Sequence, residues 1–136
     1  ALLRRFHEAK IKNEKSVTIW GIGKAKREFL FSKDCADAIV FLAENLPDDY
    51  FESSPIGENC FSHINIGSGK EVSIHELAET IRKTIDYQGD LKFDTTKPDG
   101  TPRKLLDSTR IQTLGWQPQV SLESGTTEAY KAFLNL

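Results

Sequence analysis

Cysteine and histidine are scarce in this sequence, and each scarcity closes off a class of function. The 136 residues hold 2 cysteines and 3 histidines. Cys35 and Cys60 fit no metal-ligand spacing and no Cys-x-x-Cys motif, so neither a zinc site nor a dithiol centre is legible. Two thiols of this kind point to a reducing compartment, and a cytoplasmic location is the expectation. His7, His63 and His75 have no nearby acid or cysteine pattern from which to build a metal centre or a catalytic triad. No apolar run approaches the roughly 20 residues that span a bilayer, so no membrane partner is expected. Gly21-Ile22-Gly23 and Gly67-Ser68-Gly69 both lack the third glycine and the downstream acidic residue of a dinucleotide loop, and a Walker loop is absent. No cofactor site is therefore expected within these residues. One-sided charge is missing as well: 18 Lys and Arg against 20 Asp and Glu leave a net −2, with no general pull toward nucleic acid. Arg4, Arg5, Lys10, Lys12 and Lys15 lack the interleaved aromatics of a single-strand binder and read mainly as a solvated helix face.

What the chain does contain is a regular alternation of short helices and short strands. Residues 1–10 read as a helix with Leu2, Leu3, Phe6 and Ala9 on one face. No capping residue precedes it and no methionine opens it, which reads as a helix cut from a longer protein. Ser16–Trp20 alternates and is β-branched, predicting a strand that Gly21-Ile22-Gly23 breaks; Arg27–Phe31 predicts a second extended segment. Ser32 is the expected cap of the next helix, with Cys35, Ala36, Ile39, Leu42 and Ala43 as its buried stripe and Cys35 as a structural thiol. Leu46–Phe61 predicts a long acidic loop, and His63–Ile66 a short strand. Ser73-Ile74-His75-Glu76 is a capping box that opens a helix with Ile74, Leu77, Ala78, Ile81 and Ile85 at helical spacing. Leu91–Phe93 predicts another strand. Asp107 or Ser108 is placed to cap a brief helix closed by Gly115, and Ser121 to cap a last helix with Leu122, Ala129 and Phe133 inward. The class is α/β or α+β: one domain over residues 1–136, a small mixed sheet with flanking helices.

Between the last strand and the brief helix lies Lys97-Pro98-Asp99-Gly100-Thr101-Pro102-Arg103-Lys104. Pro98 and Pro102 stiffen it, Gly100 admits a tight turn, and cations with a single carboxylate are held out at fixed offsets. Arg5, Arg27 and Lys104 stand beside apolar neighbours, and Trp20 stands where a strand meets a glycine turn. A planar base stacks on an indole, while guanidinium forks and ammonium groups match phosphate oxygens, so this set fits a nucleoside diphosphate. The alternative reading of Trp20 is a strand-end core residue, and that of the loop a solvated turn.

Several blocks resemble one family in the right order. They are Leu2-Leu3-Arg4-Arg5-Phe6-His7-Glu8-Ala9, Trp20-Gly21-Ile22-Gly23, Arg27-Glu28-Phe29-Leu30, His63-Ile64-Asn65-Ile66-Gly67, the run KPDGTPRKLLD and Leu114-Gly115-Trp116. The sequence resembles the GDP-L-fucose synthase family of extended short-chain dehydrogenase/reductases, within the NAD-dependent epimerase/dehydratases, over roughly their last two-fifths. Members convert GDP-4-keto-6-deoxy-mannose to GDP-L-fucose with NADPH. The resemblance implies that Arg5, Trp20, Arg27 and Lys104, with Asp99 as a further candidate, hold the GDP part of the substrate. It implies too that the glycine-rich cofactor loop, the Tyr-x-x-x-Lys pair and the Cys and His of epimerisation lie upstream of Ala1. The chain alone is then expected to carry no catalytic residue and no NADP(H) site, and to be inactive by itself. Lys24-Ala25-Lys26 and Phe31-Ser32-Lys33-Asp34 depart from the family pattern, which leaves the particular nucleotide sugar open. A relative acting on another nucleotide sugar, or a stand-alone binding module, are the rival readings. Self-association through an apolar face around Arg27–Asn45 is the remaining expectation.

Overall fold

The computed structural model describes residues 2–50 and 63–136; most of the expected acidic loop, Cys60 included, lies outside them. Ten elements run in the order α1 (Leu2–Ile11), β1 (Ser16–Trp20), β2 (Lys26–Glu28), α2 (Ser32–Asn45), β3 (Glu71–Ser73), α3 (Ile74–Ile85), β4 (Asp90–Asp94), β5 (Arg103–Lys104), α4 (Thr109–Thr113) and α5 (Leu122–Leu134), counted among the described residues. The strands make two small sheets rather than one. β1 and β4 pair in parallel, Trp20 opposite Asp94; the second sheet has the order β3-β2-β5, antiparallel then parallel.

The main core forms where α1 and α3 cover the first sheet. Alternation along β1 sends Val17 and Ile19 inward to meet Phe6 and Ala9 of α1 and Ala78, Ile81 and Ile85 of α3. Tyr87 closes the cluster edge-on to Phe6, and its hydroxyl donates to Glu14 O at 2.8 Å; burial pushes the phenol's pKa up. The capping box at the head of α3 is formed as the sequence predicts: Glu76 N donates to Ser73 Oγ at 3.1 Å and Ser73 N to Glu76 Oε2 at 2.7 Å. A second cluster gathers Ala38, Ile111 and Trp116, with Leu30, Phe41, Leu42, Ile64 and Ile66 packed against it.

Four local expectations are corrected. Phe31, not Ser32, is the N-cap of α2 and offers no side-chain bond; Ser32 is already helical. The buried residues of that helix are Asp34 and Ala38, whereas Ala36, Ile39 and Ala43 face solvent and Cys35 is half-buried. Polar anchors set this rotation. Asp34 Oδ2 accepts from Gln119 N at 3.1 Å and Val120 N at 2.9 Å, and Asp37 Oδ2 accepts from Trp116 Nε1 at 2.9 Å. His63–Ile66 is not a strand: Arg110 Nη1 donates to His63 O at 3.0 Å, and the Asn65 side chain donates through Nδ2 to Asp107 O at 3.1 Å. In α5, Gly125 and Thr126 are buried and Ala129 is exposed.

Candidate functional site

The solvent face of the first sheet carries Trp20. The alternation that buries Val17 and Ile19 leaves this indole 64% exposed, so it is not a core residue. Behind it, Arg5 of α1 donates through Nη2 to Thr18 O, so the guanidinium lies against the same strand. Lys97 from the central loop sets its ammonium 6.0 Å from the Trp20 ring centroid, within cation–π range.

Immediately after Trp20 the chain turns through Gly21, at φ +79°, and here glycine is required. A Cβ on Gly21 would sit 2.2 Å from Asp99 Oδ1. That oxygen accepts from Ile22 N at 2.9 Å and Gly23 N at 3.2 Å. Asp99 thus clamps the central loop onto the turn, and its Oδ1 is committed to backbone donors.

The second sheet places the other two cations. In the β2–β5 pairing Lys26 lies opposite Arg103 and Arg27 opposite Lys104. Alternation sends each pair to its own face. On one face Glu71 of β3 pairs with both cations, with Arg103 Nε at 2.6 Å and Lys26 Nζ at 3.1 Å. Arg103 first, then Lys26, hold the Glu71 carboxyl below the usual carboxylate range. On the other face Arg27 and Lys104 are neighbours, and no ion pair engages either among the described residues. Arg27 Nη1 donates to Lys26 O at 2.6 Å, and the loop passes close by: a Cβ on Gly100 would be 3.7 Å from Arg27 Nη2.

The central loop joins four of the five predicted residues into one strip: Lys97 lies over Trp20, Asp99 clamps the turn, and Gly100 passes beside Arg27, which pairs with Lys104, while Arg5 of α1 reaches β1 at Thr18 O. The strip is not a cavity. A cleft of about 520 Å³ is lined by Gly69, Arg103 and residues 105–109, and another of about 850 Å³ by residues that include Ile22, Lys24 and His75; none of the five lines either. Sequence reasoning did not single out Lys97, Glu71 or Glu28. Lys97 opens the loop that it did single out, and Glu28 follows Arg27. Glu71 carried no signal, since its value comes from bridging two strands far apart in sequence. Among the described residues no group of three or more His, Cys, Asp or Glu could hold a metal, and no helix is long and apolar enough to cross a membrane.

The model of the NAD dependent epimerase/dehydratase family matches residues 1–67. With the mixed α/β fold and the relatives below, the chain resembles that family, GDP-L-fucose synthases in particular. It is 48% identical over 135 residues to the one from Sinorhizobium fredii, a match covering 99% of this chain and 39% of that protein. Among solved structures, a GDP-6-OMe-4-keto-L-xylo-heptose reductase from C. jejuni superposes with a TM-score of 0.88 at 31% identity, over 98% of this chain and 46% of that one. MlghC, a GDP-mannoheptose C4 reductase from Campylobacter jejuni with NADP bound, gives 0.82 at 35% identity, over 98% and 43%. The chain thus spans about two-fifths of the length of the curated relative it matches.

Proposed function

We propose that residues 1–136 form the substrate-binding part of a GDP-L-fucose synthase-like, NADPH-dependent epimerase/reductase and hold the GDP part of its nucleotide sugar. The observation that carries this reading is the Arg27–Lys104 pair, two neighbouring cations that no ion pair engages among the described residues, joined by the central loop to an exposed indole. The two cations take the diphosphate through charge-assisted bonds, and Trp20 offers its face to the guanosine half. Arg5 supports the strand that carries Trp20, and Asp99 fixes the turn that follows it. GDP is common to the names of the three relatives given above while the sugar differs among them, so GDP is the firmer part of the reading. GDP-4-keto-6-deoxy-mannose is the substrate the sequence similarity favours. NADP(H), ketone reduction and epimerisation belong to the longer protein, and no step of the chemistry is assigned to residues of this chain.

The test is titration of the chain with GDP at low salt. Lys104→Ala should weaken binding by about 1.5–3 kcal/mol, the range for hydrogen bonds to charged groups, or roughly ten- to a hundredfold in Kd. Lys92→Ala, an exposed cation of β4, should change little. Equal losses in the two variants would mean a diffuse positive field and would remove the site. UDP competing as well as GDP would move the reading to another nucleotide sugar.

A further inference from the structure

Glu28 follows Arg27 in β2, and its carboxylate is divided between two distant segments. Oε1 accepts from Gly69 N at 2.7 Å, in the glycine turn ahead of β3. Oε2 accepts from Leu106 N at 3.1 Å, just beyond β5. Backbone walls the group in: a Cβ on Gly67 would lie 2.6 Å from Oε1. The strand that carries Lys104 is only two residues long, too short to hold its own register by ladder bonds. It is tied from both sides instead. Ahead of Lys104, Lys26 N donates to Pro102 O at 2.8 Å and Arg103 Nε reaches Glu71 at 2.6 Å. After it, the tie is Leu106 N on Glu28.

We propose that Glu28 is a positioning residue for the anion site: by pinning Leu106 N–H and Gly69 N–H together it fixes the place of Lys104 beside Arg27. It touches no ligand. The chemistry demands a carboxylate, because both oxygens meet N–H donors, and a carboxamide would turn its own NH2 toward one of them. Its binding consequence rests on the GDP reading above; its structural content does not.

Glu28→Gln in this chain tests both. In amide spectra the Gly69 and Leu106 resonances should move upfield, as charge-assisted bonds weaken, and the Lys104 amide should move with them. Exchange of the Leu106 amide should quicken about tenfold, as expected for the loss of one bond to a charged group, while resonances of Phe6 and Ile85 stay in place. GDP affinity should fall about tenfold on the same estimate, and Glu28→Gln combined with Lys104→Ala should bind no more than about twofold worse than Lys104→Ala alone, since coupled residues are not additive. An unmoved Lys104 amide overturns the proposal, and so do losses that multiply in the double variant. If the unaltered chain shows no GDP affinity, or Lys104→Ala leaves it intact, the GDP reading falls; the Lys104 amide then decides alone whether Glu28 sets its position. Should Glu28→Gln fail to fold, Glu28→Asp, which keeps the charge and shortens the reach, is judged by the same shifts.

Discussion

Replacing Asp99 by alanine removes a carboxylate that joins the central loop to the turn after Trp20. Two backbone donors, Ile22 N and Gly23 N, lose their acceptor at once. A hydrogen bond to a charged group is worth about 1.5–3 kcal/mol, but these two share a single oxygen and the site is half-exposed, so water can replace part of the loss. The expected destabilisation is therefore near the low end, about 1.5–2 kcal/mol in all. Asp99→Asn keeps an acceptor in place and forfeits only the charge, so its loss should be about half as large. Urea unfolding followed by circular dichroism gives the two values. Iodide quenching gives the local effect, because Trp20 is 64% exposed and Trp116 only 4%, so the quenched signal belongs to Trp20. With the clamp gone, Lys97 is no longer held over the ring, and the quenching of Trp20 by iodide should change. Alanine and asparagine variants that unfold at the wild-type midpoint with unchanged quenching would refute the clamp. Equal losses in both would show that the charge, not the acceptor, is what matters.

Ser73→Ala should cost about 1 kcal/mol of stability by opening the capping box of α3, read as a lowered melting temperature. The carboxyl of Glu71 is held low by Arg103 and Lys26, and that of Glu76 by the Ser73 backbone N–H and then its hydroxyl. Groups lowered in the folded state stabilise it above their unfolded values, about 4.3 for glutamate, and that contribution is lost as pH falls through the folded values. Melting temperatures should therefore drop with acid below about pH 4, less steeply in Glu71→Gln, and a slope identical in that variant would remove Glu71 from the account. Phe29, Ile39 and Val40 expose apolar surface near α2, and self-association through that face is proposed. Sedimentation should show an oligomer that Ile39→Glu with Val40→Glu shifts toward monomer; a clean monomer in the unaltered chain would end the idea.

The parts of the fold legible in the sequence are those whose causes are local. Ser16–Trp20 alternates because one face of β1 is buried, and Ser73 with Glu76 announces a helix start wherever the rest of the chain goes. What escaped is decided by partners far away in sequence. The face that α2 buries follows from bonds that Asp34 and Asp37 make to residues 116–120, so an apolar-stripe argument turned the helix the wrong way. Glu71–Ser73 was missed as a strand because three residues carry no period, and pairing with β2 makes them one. The site divides in the same manner. Residue types that suit a diphosphate and a base could be picked out of the chain; that Arg27 and Lys104 share a face while Lys26 and Arg103 pair with Glu71 on the other depends on the β2–β5 register.

That register gives the two acidic residues of the second sheet distinct consequences. Glu28 and Glu71 lie opposite one another in the β2–β3 pairing. Glu71 pairs with both Lys26 and Arg103 and offsets one of their two charges, whereas no ion pair engages Arg27 or Lys104 among the described residues. Glu28 spends its charge on backbone donors and leaves Arg27, its neighbour in sequence, uncancelled. The first sheet, carrying Trp20, meets this arrangement through the turn at Gly21 and the loop that Asp99 holds there. Carboxylates at positions 28, 71 and 99 thus act on the backbone and cations around Trp20, Arg27 and Lys104, while no ion pair engages Arg27 or Lys104 among the described residues. A charge count over the whole chain, at −2, conceals this, because the sign that matters to an anion is local and is set by which cations the acids leave free.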